Sequence, residues 1–169
     1  MQINRATDYA VRVMIHLATL SPGSKAQLLA LEHATGVRGS FLSKVMQRLV
    51  HAGFVASHRG NGGGFCLHVD SNKTSLLEII EAMEGPTHLN QCLAGGESCE
   101  RKSWCGVHPV WDEAQASLRV VLASVSIGQL SRDTEVSRSK HLQLVVPEIA
   151  AQDPGTLEVA ANKGKCSPV

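Results

Sequence analysis

Apolar residues recur every three or four positions over residues 7–20, where Ala10, Val13, Met14, Leu17 and Leu20 share one face and Thr7 is placed to cap. This spacing predicts an amphipathic helix. Pro22-Gly23 interrupts it. Ser24 then predicts a capped short helix over roughly 25–34 (KAQLLALEHA), and Thr35-Gly36 a tight stop. Ser40 is placed to cap a third helix over about 41–52, with Leu42, Val45, Met46, Leu49 and Val50 inward. Short helix, glycine turn, capped helix is the arrangement of a helix-turn-helix.

The period then changes. Gly53 ends the helical pattern, and Phe54–Ser57 and Phe65–Val69 read as two short strands separated by HRGNGGG. Asn61-Gly62 suits the positive φ angles of a tight hairpin turn. A hairpin directly after a helix-turn-helix is a wing. Ser75-x-x-Glu78 is a capping box that opens a helix to about 84, which Gly85-Pro86 ends. A further helix starts at Pro109, where proline suits the first turn. Its seam is Val107, Trp111, Ala114, Leu118, Val121 and Val125, widened by Val110 and Leu122. That seam exceeds what one small winged domain can cover, so it predicts a homodimer built on this helix. Beyond about 131 the periodicity fades among polar residues, Gly and Pro, which predicts a mobile tail.

The expected fold is therefore mainly α with a small β-hairpin: a winged helix-turn-helix over 1–84, a cysteine loop over 85–106, a dimerisation helix region over 107–130 and a mobile tail over 131–169. Charge sharpens the functional reading. Residues 1–70 carry seven Lys/Arg against Asp8, Glu32 and Asp70, a net of +4, while the remainder is −3. A basic half beside an acidic remainder is the asymmetry of a chain that meets a polyanion. In a winged helix the first turn of the recognition helix faces base edges. Arg38, Ser40 and Phe41 occupy that turn, with Ser43, Lys44, Gln47 and Arg48 following. Ser and Gln can hydrogen-bond bases, and Lys and Arg can hold phosphates or read guanine. Arg59 and Asn61 lie at the wing tip, where a guanidinium can enter a narrow minor groove.

Enzyme chemistry finds no support. There is no nucleophile–base motif, the carboxylates are scattered, and GNGGGF lacks the Lys-Ser/Thr of a phosphate loop and lies between two strands. The N-terminus shows no cleavage signal and no apolar run approaches the roughly 20 residues that cross a bilayer. The expected place is the cytoplasm, with no membrane partner.

Five cysteines is an odd number, and Cys92, Cys99 and Cys105 crowd into QCLAGGESCERKSWCGVHPVW, spaced C-x6-C-x5-C-x2-H with His108 last. In a cytoplasmic chain this favours metal or redox chemistry over a disulfide framework. The spacing is looser than the paired C-x2-C of a zinc ribbon. Three thiolates leave one coordination position to another donor. Cys66 reads as a small strand residue, Cys166 as a free thiol in the tail, and Trp104 and Trp111 as a shield over the loop that also packs the long helix.

Together these stretches resemble the bacterial NsrR/IscR superfamily of winged-helix regulators. The resemblance is carried by TDYAVRVMIHLA, SFLSKVMQRLVHAGFV, RGNGGGF, LLEIIEAMEGP, the three-cysteine loop leading into HPVW, and the closing VSIGQL. It implies a dimeric transcription factor that binds an iron–sulfur cluster and a roughly palindromic double-stranded DNA operator, with cluster state setting affinity. The cysteine ligands map to Cys92, Cys99 and Cys105. The fourth ligand is His108 in the IscR-like pattern, or Asp8 from the partner's first helix in the NsrR-like one. The C-x6-C gap is one residue longer than either branch leads one to expect, so the cluster remains either 2Fe–2S or 4Fe–4S. Redox state, nitric oxide and iron status are the candidate signals. Two other readings stand beside it: a winged-helix regulator with a thiol–disulfide or structural zinc site, and an electron-transfer or cluster-carrier protein.

Overall fold

The computed structural model describes residues 3–60, 62–94 and 99–149. The order is α1 (Arg5–Thr19), α2 (Leu28–Thr35), α3 (Gly39–His51), β1 (Val55–His58), β2 (Gly64–Leu67), α4 (Leu76–Glu84), a 3-10 turn (Gln91–Leu93), α5 (His108–Ser124) and α6 (Ile127–Ile149). The expected class, helical with one hairpin, is the class observed.

Helix α1 begins earlier than its apolar stripe suggests. Asn4 is the cap, its side chain accepting from Thr7 N at 3.0 Å, and Thr7 itself is fully buried with its hydroxyl on Asn4 Oδ1. Asn outranks Thr as a cap. Ala10, Val13, Met14 and Leu17 fill the core from this helix. Helix α2 starts at Leu28, later than expected, because the residues before it are extended. Ala26 exchanges two backbone hydrogen bonds with Phe65 of β2, at 2.8 and 2.9 Å. That pairing brings the chain so close that a side chain at Gly64 would stand 2.7 Å from the Ala26 carbonyl, at φ +152°. Only glycine fits there. Gly36 ends α2 in the left-handed region, its N–H on Glu32 O.

Helix α3 is entered from Arg38, and Ser40 lies inside the first turn without capping it. Leu42, Val45, Met46 and Leu49 are buried against α1 and α2. The hairpin pairs Val55 with Leu67 through His58 with Gly64, and Gly63 N bonds Gly60 O at 2.9 Å across its tip. The capping box of α4 forms as expected: Ser75 accepts from Glu78 N, and Glu78 accepts from Ser75 N. Ile79, Ile80 and Met83 bury inward.

The region after 131 departs from expectation. Residues 131–149, expected as part of a mobile tail, continue the helix α6, which packs on α1. Its start is locked to the turn before α4: Ile127 N bonds Thr74 O, Gly128 N bonds Ser71 O and Leu76 N bonds Val125 O, all within 2.9 Å. From 132 to 141 its residues are exposed, so an anchored surface helix there carries the polar sequence that a loose tail also carries. Residues 150–169, including Cys166, lie outside the described residues, as does Asn61.

Candidate functional site

The helix-turn-helix presents one continuous polar face. Arg38 is exposed at the N-cap of α3, Ser40, Phe41, Lys44, Gln47 and Arg48 are exposed on α3, and Arg59 is exposed at the wing. Each has a distinct setting. Phe41 packs edge-on against Tyr9 with ring centroids 5.5 Å apart, and the Arg12 guanidinium lies over the same Tyr9 ring. This ties the first turn of α3 to α1. Ser43 is half-buried, and its hydroxyl donates to Gly39 O at 2.8 Å. Arg48 donates to the Met83 carbonyl in the last turn of α4. Its outward reading from sequence meets a structural tie that helical spacing does not reveal.

A groove of about 590 Å³ separates α3 from the wing. Ser43, Gln47 and His51 form one wall, and Ser57, His58 and Arg59 the other. His51, Ser57 and His58 escape a sequence reading. The signal for His51 is its i+4 step from Gln47, which follows Ser43 by the same step. His58 Nε2 also lies 3.4 Å from the buried Cys66 Sγ across the hairpin.

The cysteine loop leaves α4 at Gly85 and joins α5 at His108. Two backbone groups fix its first part: Thr87 N donates to Glu81 Oε1 at 3.4 Å, and Leu89 N to Gln115 Oε1 at 3.1 Å. Glu81 also pairs with Arg119 of α5. The Arg119 hydrogen bond is the main reason its carboxyl sits below the usual carboxylate range. Cys92 follows in the 3-10 turn that Asn90 caps. Cys92, Cys99 and Cys105 are free and half-buried. His108 is half-buried, and its Nδ1 is shielded from solvent with no hydrogen-bond partner; His88 Nδ1 is in the same condition.

The donors are present but not gathered. No group of three or more His, Cys, Asp or Glu among the described residues is arranged to hold a metal. The donor chemistry nonetheless fits an iron–sulfur cluster: three free thiols within a short stretch and an imidazole nitrogen lacking a partner. Asp8 is engaged elsewhere, paired with Arg12 at 2.8 Å along α1. Trp104 does not shield the loop within the chain. It is 70% exposed, with the Arg101 guanidinium over its ring.

The long helix is the other incomplete surface. No residue of α5 is buried, and Val107, Val110, Trp111, Val120 and Val121 are exposed, Val120 and Val121 by more than 60%.

The family model described as "Rrf2: Iron-dependent Transcriptional regulator" matches residues 3–133. The chain belongs to the Rrf2 family. Its relatives include the HTH-type transcriptional regulator IscR of Vibrio cholerae, 29% identical over 156 residues, with 90% of each chain covered. The IscR of Vibrio campbellii is 28% identical over 136 residues, with 80% of each covered. Among solved structures, CymR of B. subtilis, titled the global cysteine regulator, aligns with a TM-score of 0.65 at 23% identity, over 78% of this chain and 97% of that one. T. potens IscR also gives 0.65, at 22% identity, over 81% and 90%. These structural likenesses concern the fold. As an Rrf2 member the protein is a DNA-binding transcriptional regulator and not an enzyme. No described helix is long and apolar enough to cross a membrane.

Proposed function

We propose that this Rrf2 protein is a cytoplasmic homodimer whose operator affinity is set by an iron–sulfur cluster on the Cys92–Cys105 loop. The observation that carries the reading is the set of three free, half-buried thiols ending at His108, whose Nδ1 lacks a partner. Cys92, Cys99 and Cys105 supply three ligands, and His108 or the partner's Asp8 the fourth. The uncovered apolar face of α5 supports dimerisation, since an isolated helix would not leave so many valines in water. Two copies then present two α3 helices to half-sites about 34 Å apart on a palindromic duplex. Arg38, Ser40, Phe41, Ser43, Lys44 and Gln47 face the major groove, with Arg59 and Asn61 at the wing.

A bound cluster supplies a centre that oxidants or nitric oxide can alter. The chain's own part is mechanical. Loop residues 87 and 89 are tied to α4 and α5 through Glu81 and Gln115. Helix α4 is tied to α3 through Met83 and Arg48, and to the start of α1 through Glu84 and Asn4 N at 2.9 Å. A change in the loop is thereby passed to the recognition helix through rigid elements.

A thiol–disulfide or zinc reading of the same loop starts from the same three free thiols. An oxidized form of Staphylococcus aureus CymR also shares this fold. Oxygen-free purification, visible absorbance and iron, sulfide and zinc analysis separate these readings. Brown protein with matching iron and sulfide, bleached by alanine at any of the three cysteines, is the expected result. Colourless, iron-free protein after reconstitution would replace the cluster with zinc or thiol chemistry. Duplex affinity that ignored salt would instead point to a cluster carrier.

A further inference from the structure

The groove between α3 and the wing has two walls of different origin and one electrical character. Gln47 and His51 stand on the α3 wall four residues apart, and so on one face of the helix. Ser57, His58 and Arg59 form the hairpin wall. Among the described residues that line the groove none is Asp or Glu, and α2 adds only Leu28. Arg59 is the one permanent cation of that lining, while histidine is the side chain that gains charge as pH falls from 8 toward 5. The floor, with Met46, Val50 and Phe65, is apolar.

The two walls form one rigid piece. Helix α3 ends at His51 and β1 begins at Val55. The join is closed by Gly53 N on Val50 O and Phe54 N on Leu49 O, both at 3.0 Å. The groove is therefore preformed, and a partner that enters it meets little ordering cost. On duplex DNA a recognition helix lies in the major groove, and a wing arginine can enter the adjoining minor groove. One sugar–phosphate strand separates those two grooves, so it must pass between α3 and the wing. Its deoxyribose rings suit an apolar floor, and its phosphates suit walls that carry donors and no carboxylate.

We propose that this strand lies in the groove and that His51 and His58 hold its phosphates, so that DNA binding takes up protons. This rests on the placement of α3 and Arg59 on DNA given above, and not on the cluster. A phosphate beside an imidazole favours the charged ring, so the bound state holds more protons and affinity rises as pH falls. The charged or titratable groups around the pair are Arg59, next to His58 in the chain; Arg48, one turn before His51 on α3; and the Cys66 thiol, 3.4 Å from His58 Nε2. A phosphate among these cations relieves their mutual repulsion.

The test is fluorescence anisotropy of a labelled random-sequence duplex with the whole chain at pH 6 and pH 8, across a range of salt. The wild type is expected to bind about tenfold tighter at pH 6, with a salt slope steeper by roughly one to two, since each phosphate neutralised releases about one counter-ion. His51→Gln and His58→Gln each remove part of that difference, and the double variant removes it. Arg59→Gln makes the slope shallower by about one at both pH values and keeps the difference. Far-ultraviolet circular dichroism checks folding; His51 is exposed, so His51→Gln decides the matter even if His58→Gln folds poorly. A wild type with the same affinity and slope at both pH values would overturn the proposal. A double variant that kept the full difference would also overturn it, and would place the proton uptake elsewhere in the chain. Binding that ignored salt at both pH values would remove the DNA placement itself, and this proposal with it.

Discussion

Arg48 separates two readings of the recognition helix. By spacing it is a DNA contact, yet its guanidinium donates to Met83 O in the last turn of α4. A charge-assisted hydrogen bond of that kind contributes about 1.5–3 kcal/mol when shielded. A cation at a helix C-terminus adds a few tenths more. Arg48 is exposed, so solvent reduces the total to about 1 kcal/mol. Arg48→Met keeps the aliphatic stem and removes the donor. The expected result is a urea midpoint shift equal to about 1 kcal/mol, or roughly 2–4 °C in Tm for a chain of this length. The slope of log affinity against log salt on random-sequence duplex should be unchanged. Lys44→Ala is the reciprocal control, with stability within about 0.5 kcal/mol of wild type and a slope shallower by about one. If Arg48→Met kept full stability and lost one unit of slope, Arg48 would be a phosphate contact and the α3–α4 tie would be incidental.

Two further outcomes are expected. Val121→Glu places a charge on the exposed seam of α5, where Val121 is 61% exposed, so the monomer should fold normally while sedimentation shows loss of the dimer and weaker operator binding; a persisting dimer would move the interface off this helix. His16 is held below its ordinary value of 6.5 chiefly by burial and then by Arg138, with Glu135 opposing. The unfolded chain therefore takes up this proton first, and stability should fall as pH drops from about 6.5 through the depressed folded value. Arg138→Gln should raise the His16 value in an NMR titration, and no change would mean that α6 does not lie on α1 in solution.

The amphipathic periods of α1, α3 and α4, the Ser75–Glu78 capping box, the glycine-rich hairpin and the cysteine spacing were all legible in the chain, because each depends on residues within a few positions of one another. Cap identity was less so: Asn4 and Arg38 precede their helices where Thr7 and Ser40 looked suitable, since several residues can serve and packing chooses among them. Helix α6 was hidden because a surface helix anchored at one end carries no apolar stripe. Only tertiary structure decided that Arg48 turns to α4, that Ala26 pairs with β2, that no residue of α5 is fully buried, and that His88 and His108 each keep a shielded ring nitrogen without a partner. Local sequence sets which side chains share a face of one element. What that face meets is settled by segments distant along the chain, whose positions follow from burying the core shared by α1, α3 and α4.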